Sequence, residues 1–232
     1  MNLHERIIGK LSDYNPIWEA LTKEETKRAS SCIEIAHYHK DDVIHREGDL
    51  PQSVMMLVSG RVKIIKQGIG GQLQIIRLLK PGDLFSYRAL VADEHYTLSA
   101  IAFEPCMVYR LDKDTFFDLL QHNAHFCFRV MQTMAVDLAL QESRTINLTQ
   151  KHLRGRLAES LLLLKDECGL EPDKQTLSMY ISRQDLAYLS NMTTSNAIRT
   201  LSQFAQEGLV YIDGRHIRLL DIDELMHISR LG

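Results

Sequence analysis

Residues 180–210 read YISRQDLAYLSNMTTSNAIRTLSQFAQEGLV. The spacing predicts two short helices with a hinge between them. Ser182 is placed to cap the first helix, and Asp185 three residues later completes a capping box. Leu186, Ala187 and Leu189 form its apolar side, with Ala187 small enough to let a second helix cross closely. Asn191 falls at the turn, where a left-handed residue is needed and Asn tolerates it. Thr193 is placed to cap the second helix. Ala197, Leu201 and Phe204 would then face inward. Thr194, Ser195, Asn196 and Arg199 are left on the outer face near the helix start. Short hydrogen-bonding side chains beside one forked donor suit base edges in a major groove, with Arg199 placed for a guanine. Arg183, Thr193 and the N-terminus of the first helix are placed for phosphates.

The flanking sequence agrees. Downstream, LVYIDGRHIRLL sets two β-rich runs around Asp213-Gly214, a hairpin signal. Upstream, RGRLAESLLLLKDECG is an amphipathic helix that Gly169 can end. A helix, a helix-turn-helix and a hairpin make a winged helix over residues 149–232. Before it, residues 125–148 form one long helix. Cys127, Met131, Met134, Leu138, Gln141, Thr145 and Leu148 recur along it at alternating steps of three and four, a seam suited either to packing on its own domain or to a parallel dimer.

The remainder, residues 1–124, changes character. Residues from about Met1 to Ile33 read as helical, with Pro16 near a start and Leu11, Ile17, Trp18 and Leu21 as apolar contacts. From Glu34 to Tyr109 short apolar runs alternate and are cut by Gly48-Asp49, Ser59-Gly60, Gly70-Gly71 and Pro81-Gly82-Asp83. That pattern predicts a small antiparallel barrel or sandwich. Val43, Ile44, Met55, Leu57, Val62, Ile64, Ile76 and Leu78 are expected inside it. DKDTFFDLL then opens a helix, with Asp112 or Asp114 as cap and Phe116, Phe117 and Leu120 as its apolar face. The fold class read from these elements is α+β: a small N-terminal antiparallel barrel or sandwich, a long helix, and a C-terminal winged helix-turn-helix domain.

Composition bounds the function. The 232 residues are 45% hydrophobic and 25% charged, with a formal net charge of −3. A DNA contact must come from a local surface, because residues 150–232 hold ten Lys/Arg against eleven Asp/Glu. Cys32, Cys106, Cys127 and Cys168 are scattered, which argues against a disulfide framework or a zinc site. The N-terminus lacks an apolar signal core, and no run approaches the roughly 18 apolar residues of a membrane span. A cytoplasmic location and no membrane partner are expected. His37 and His39 have metal-like spacing with His45 beyond them, but alternation puts the first two on one solvated strand face. No nucleophile elbow, phosphate-binding glycine loop or histidine–carboxylate motif marks an enzyme.

Taken in order, VIHREGDLPQSVMMLVSGRVKII, LLKPGDLF, RGRLAESLLLL and the opening stretch resemble the Crp/Fnr family of bacterial transcription regulators. The resemblance runs from about Glu34 to Leu220. It implies that the N-terminal domain is a β-roll, jelly-roll-like sensor domain of the cyclic-nucleotide-binding-like kind and the long helix a dimerisation helix, with a homodimer, a pseudo-palindromic duplex as partner and, for an activator, RNA polymerase. It also locates an effector pocket. In nucleotide-binding members a Gly-Glu-Leu triplet holds the ribose; here the place reads Ser86-Tyr87-Arg88. An Arg-Ser pair holds the cyclic phosphate; here Tyr96-Thr97 stands there, with one residue deleted between the two places. The family's Thr-Ser contacts on the long helix fall at Gln141-Glu142. The ribose carboxylate and the phosphate arginine are both replaced, which disfavours cyclic AMP. Four clustered cysteines for an iron–sulfur centre are lacking, since only Cys32 lies near the N-terminus. Haem and nitric-oxide sensing stay open through His95, His122, His125 and His152. A sensory module with a protein output also stays open. The family often shows Glu followed four residues later by Arg on its recognition helix; here Ser195 precedes Arg199, so an altered operator is implied.

Overall fold

The computed structural model describes residues 15–232. The expected contact at Leu11 and the start of the N-terminal helix fall outside them. The described chain opens with one 3-10 turn, Pro16–Ala20, capped by Asn15, whose side chain accepts from the Ile17 amide at 2.9 Å. Helix α1 (Lys23–Ser31) follows. Thr22 and Glu25 close a reciprocal capping box at its start.

Two compact units make up the fold. The first joins the described residues through Lys66 to Arg77–Ala139, and the second joins Gln67–Ile76 to Leu140–Gly232. The first holds two antiparallel sheets. One has the order β1 (Ile33–Tyr38), β8 (Cys106–Asp112), β3 (Ser53–Ser59), β6 (Leu84–Phe85). The other runs β2 (Val43–His45), β7 (Ser99–Ala102), β4 (Val62–Gln67), β5 (Leu73–Leu79), the tip of the β4–β5 hairpin belonging to the second unit.

Strand β3 explains how this unit is layered. Six of its residues, SVMMLV, are buried, so both faces are covered. Met55 and Leu57 point between the sheets and join Val62, Ile64, Leu79, Phe85, Ala100, Ala102 and Val108. Val54, Met56 and Val58 point the other way. They pack on Trp18, Ala29, Phe116, Leu119, Phe126 and Val130 from the helical elements. A strand with period-two side chains thereby serves two cores. The Trp18 indole N–H donates to the Met56 sulfur at 3.1 Å, which satisfies the one polar atom carried into this cluster by the tryptophan.

Strand β5 departs from expectation. Ile76 was expected inside but is half-buried, while Ile75 is fully buried. Leu78 is buried as expected, yet Leu79 is the residue that joins the core between the sheets. The sequence LQIIRLL has no clean alternation, so period alone does not select its inner face.

After α2 (Tyr87–Val91) and β8 comes α3 (Lys113–His122), capped by Asp112, which accepts from the Thr115 amide at 2.9 Å. Phe116 and Leu119 are its fully buried side chains; Phe117 and Leu120 are partly buried against the same cluster. The long helix α4 (Ala124–Gln150) follows. Phe126 and Val130 bury into the first core and Met134 packs beside them. Of the expected seam, Met131, Leu138, Gln141 and Thr145 are exposed, whereas Cys127, Met134 and Leu148 are half-buried. Phe128 lies exposed one turn before Met131. Met134 follows Phe126 and Val130 at steps of four, the helical spacing that keeps all three on the face of the unit's own core.

In the second unit α5 (Leu153–Cys168) buries Leu157, Ala158, Leu161 and Leu164. Gly169, at φ 81°, ends it. Helix α6 (Arg183–Leu189) and helix α7 (Thr194–Gln206) pack on it with Leu186, Ala187, Leu201 and Phe204 almost wholly buried. Strands β9 (Val210–Asp213) and β10 (His216–Leu219) form the wing. Asp213 pairs with His216, so the two turn residues are Gly214-Arg215, one position later than the expected Asp213-Gly214. Gly214 at φ 56° supplies the positive φ that a glycine-first hairpin turn requires. Helix α8 (Ile222–Leu231) closes against α5.

Candidate nucleic-acid interface and effector site

The interface is built by caps and a turn. Ser182 Oγ accepts from the Asp185 amide at 2.9 Å and donates to the Asp185 carboxylate at 2.6 Å. Asn191 takes the left-handed turn at φ 49°, and Met192 N donates to the Ala187 carbonyl at 3.0 Å. Thr193 Oγ1 then accepts from the Asn196 amide at 3.3 Å and starts α7. Thr193, Thr194, Ser195 and Arg199 are exposed; Asn196 is half-buried. Arg199 Nη2 donates to Asn196 Oδ1 at 3.0 Å, so the neighbouring amide orients the fork. Arg183 Nη2 donates to the Gly214 carbonyl at 2.8 Å, tying the start of α6 to the wing turn. Burial lowers the pKa of that guanidinium.

Sequence reasoning missed the residues that hold this turn. Arg144, on α4, donates through Nη2 to the Ile75 carbonyl at 2.6 Å and to the Leu189 carbonyl at 3.0 Å. Leu189 ends α6, where carbonyls lack helical partners and the helix dipole is negative, so a cation fits. Burial lowers the Arg144 pKa, with Glu159 opposing. Arg156 donates to the Asn191 carbonyl at 2.9 Å, and Gln72 to the Met192 carbonyl at 3.4 Å. No local sequence signal pairs an arginine with a carbonyl 69 or 45 positions away. Ile198 was also missed; it is exposed on the outer side of α7, and its offset of three from Ser195 is the signal that marks it.

In the first unit, the expected effector residues divide. Ser86 is half-buried with a left-handed backbone at φ 69°. The Tyr87 hydroxyl does not face outward: it hydrogen-bonds Asp137 on α4, which also takes Arg77 Nη1 at 2.7 Å. Burial, then the Asp137 carboxylate, pushes the Tyr87 pKa far up. Arg88 is exposed and donates to Glu94 at 3.2 Å and to Thr97 Oγ1 at 2.8 Å. Tyr96 is buried and stacks on His45, ring centroids 3.8 Å apart and 22° from parallel. Burial raises the Tyr96 pKa. Burial lowers the His45 pKa to about 4, and its Nδ1 has no hydrogen-bond partner. His45 is thus a neutral ring in this cluster, whereas His37 and His39 are exposed.

Gln141 and Glu142 are exposed on α4, past the point where the second unit begins. His95, His122, His125 and His152 are exposed as well. Among the described residues no group of three or more His, Cys, Asp or Glu side chains is placed to hold a metal ion. No described helix is long and apolar enough to cross a membrane.

Known proteins match in the same order. A model of the cyclic nucleotide-binding domain matches residues 35–123, and a model of the Crp-like helix-turn-helix domain matches residues 155–228. The cyclic AMP receptor protein of Thermus thermophilus is 28% identical over 196 residues, covering 84% of this chain and 88% of the relative. The transcriptional activatory protein AadR of Rhodopseudomonas palustris is 23% identical over 199 residues, covering 85% and 81%. FixK2 from Bradyrhizobium japonicum superposes with a TM-score of 0.75 at 23% identity, covering 85% of this chain and 97% of the other. The c-di-GMP responsive global regulator CLP of Xanthomonas campestris does so at 0.71 and 18%, covering 85% and 99%. With its nucleotide-binding-type domain ahead of a Crp-like helix-turn-helix, this chain belongs to the Crp/Fnr family of transcriptional regulators.

Proposed function

We propose that the chain is a homodimeric, sequence-specific DNA-binding regulator whose activity is set by an effector other than cyclic AMP. The observation that carries the DNA reading is the outer side of α7. Thr194, Ser195 and Arg199 are exposed there, and Asn196 orients the Arg199 fork. Arg199 then reads a guanine edge, while Arg183, Thr193 and the start of α6 hold phosphates. Dimerisation is supported by α4, where Phe128, Met131 and Leu138 are 53%, 53% and 62% exposed. Large apolar side chains left in water along one helix mark a protein interface. The half-sites would then lie about one helical turn apart.

The effector reading rests on chemistry. The Thermus relative is named for cyclic AMP, but the corresponding groups here are committed elsewhere. Tyr87 is bonded to Asp137, Arg88 to Glu94 and Thr97, and Tyr96 is stacked on a neutral His45. A cyclic phosphate placed here has no free buried cation prepared for it. We place a different ligand at Ser86, Tyr87, Arg88, Tyr96 and Thr97, all within the first unit.

Duplexes enriched from a random pool test the function, titrated from low to moderate salt alongside native mass measurement. Expected are a dimer mass and a strongly salt-dependent affinity. Arg199→Ala should lose about 1–3 kcal/mol of specific binding while remaining dimeric. Absence of salt-dependent affinity for any duplex would instead favour a module with a protein output.

A further inference from the structure

On α7 the buried side consists of Ala197, Thr200, Leu201 and Phe204. Opposite it, Ser195, Ile198, Arg199 and Ser202 follow at steps of three, one and three, and all four are exposed. Ile198 is 46% exposed and is the one large apolar side chain of that patch. Single exposed hydrophobics are common on proteins and by themselves mean nothing. This one stands next to the residue that would read a base, on the helix that would enter the groove. Its presence is not explained by helix propensity, since β-branched residues form helices less readily than the polar long-chain residues that would be soluble there. A β-branched side chain in a helix has one strongly preferred rotamer, so little freedom is lost when it meets a surface.

The major groove offers one apolar group on a base edge, the 5-methyl of thymine. We infer that Ile198 is a specificity-determining residue that packs on the methyl group of a thymine neighbouring the guanine read by Arg199. This rests on the proposed DNA reading of α7. Consecutive helical residues differ by 1.5 Å in rise, so Ile198 and Arg199 reach adjacent base pairs rather than distant ones. Asn196 Oδ1 accepts from the Arg199 fork at 3.0 Å, which holds that fork beside the exposed Ile198. With Ser195 in place of a long acidic side chain, the space one turn earlier stays open, and the isoleucine approaches the bases without a competing carboxylate.

The test removes one methyl group from the DNA. Duplexes are first enriched with the full-length chain, and each thymine of the enriched site is then replaced by deoxyuridine. One thymine per half-site, beside the guanine whose loss abolishes Arg199 discrimination, is expected to weaken wild-type binding about fourfold when it loses its methyl. Replacing both half-sites should cost about fifteenfold. Ile198→Ala, an exposed position that should leave the melting curve unchanged, is expected to bind thymine and deoxyuridine sites equally. Wild-type tolerance of every deoxyuridine, or equal sensitivity in wild type and Ile198→Ala, overturns the inference while leaving the DNA reading intact. Failure to enrich any duplex overturns the DNA reading and this inference together.

Discussion

Acid should destabilise the first unit through one histidine, and the sign follows from its burial. His45 has a folded pKa of about 4 because burial disfavours the imidazolium. An unfolded histidine titrates near about 6.5. The unfolded chain therefore binds the proton first as pH falls. The stability linked to a neutral His45 is complete above about pH 6.5 and is lost as pH falls toward about 4. The full difference of some 2.5 pH units corresponds to about 3 kcal/mol, of which about 2 kcal/mol is lost between about pH 7.5 and pH 5. Trp18, the single tryptophan, is buried in this unit's core and reports its unfolding by fluorescence. Urea unfolding followed at that emission, at both pH values, measures the loss. His45→Phe keeps a ring against Tyr96 and removes the titration, so carboxylates contribute equally to both proteins and cancel. The reasoning is wrong if wild type and His45→Phe lose the same stability across this interval.

Three further outcomes are expected. Arg144→Met leaves the Ile75 and Leu189 carbonyls without their donor, costs about 2 kcal/mol, and speeds amide exchange at Met192; exchange identical to wild type would refute the role of Arg144 in holding the turn. Tyr87→Phe removes a hydrogen bond to a carboxylate and should cost about 1.5 kcal/mol, with a double-mutant cycle against Asp137→Asn showing coupling; additive losses would deny the contact. Gly60→Ala and Gly70→Ala both place a side chain at positive φ, but a Cβ at Gly60 meets Pro105 O at 2.3 Å and Cys106 Cβ at 2.7 Å, while Gly70 has open space. Gly70→Ala should cost about 1 kcal/mol and Gly60→Ala at least about 2 kcal/mol more, so equal urea midpoints would contradict the packing at the β3–β4 turn.

The winged domain was legible because its signals are local. Ser182, Asn191, Thr193 and Gly169 each act on backbone atoms within a few residues, and the structure uses all four. The β-rich region was legible as a class from its turns, but β5 was not, because LQIIRLL is apolar on both sides. Tyr87 shows a second limit. The family resemblance puts it at the effector pocket, and its hydroxyl meets Asp137, 50 residues away. Such a pairing leaves no trace in spacing. His45 shows a third: β2 has three residues, too few for alternation to say which side chains are covered. The bond of Arg183 to Gly214 is likewise invisible in local spacing, because it depends on a hairpin that closes 31 positions later.

The second unit is not continuous in the chain. Its members include Gln67–Ile76, contributed by the tip of a hairpin whose strands begin and end among residues of the first unit. Ile75 from that tip is fully buried and supplies a carbonyl to Arg144, and Gln72 reaches the helix-turn-helix turn. A winged domain excised at Leu140 would therefore be missing part of its own wall. In engineering terms it is not an interchangeable cassette: a chimaera that transplants residues 140–232 onto another sensor must carry a compatible hairpin tip, or Arg144 is left with half of its acceptors.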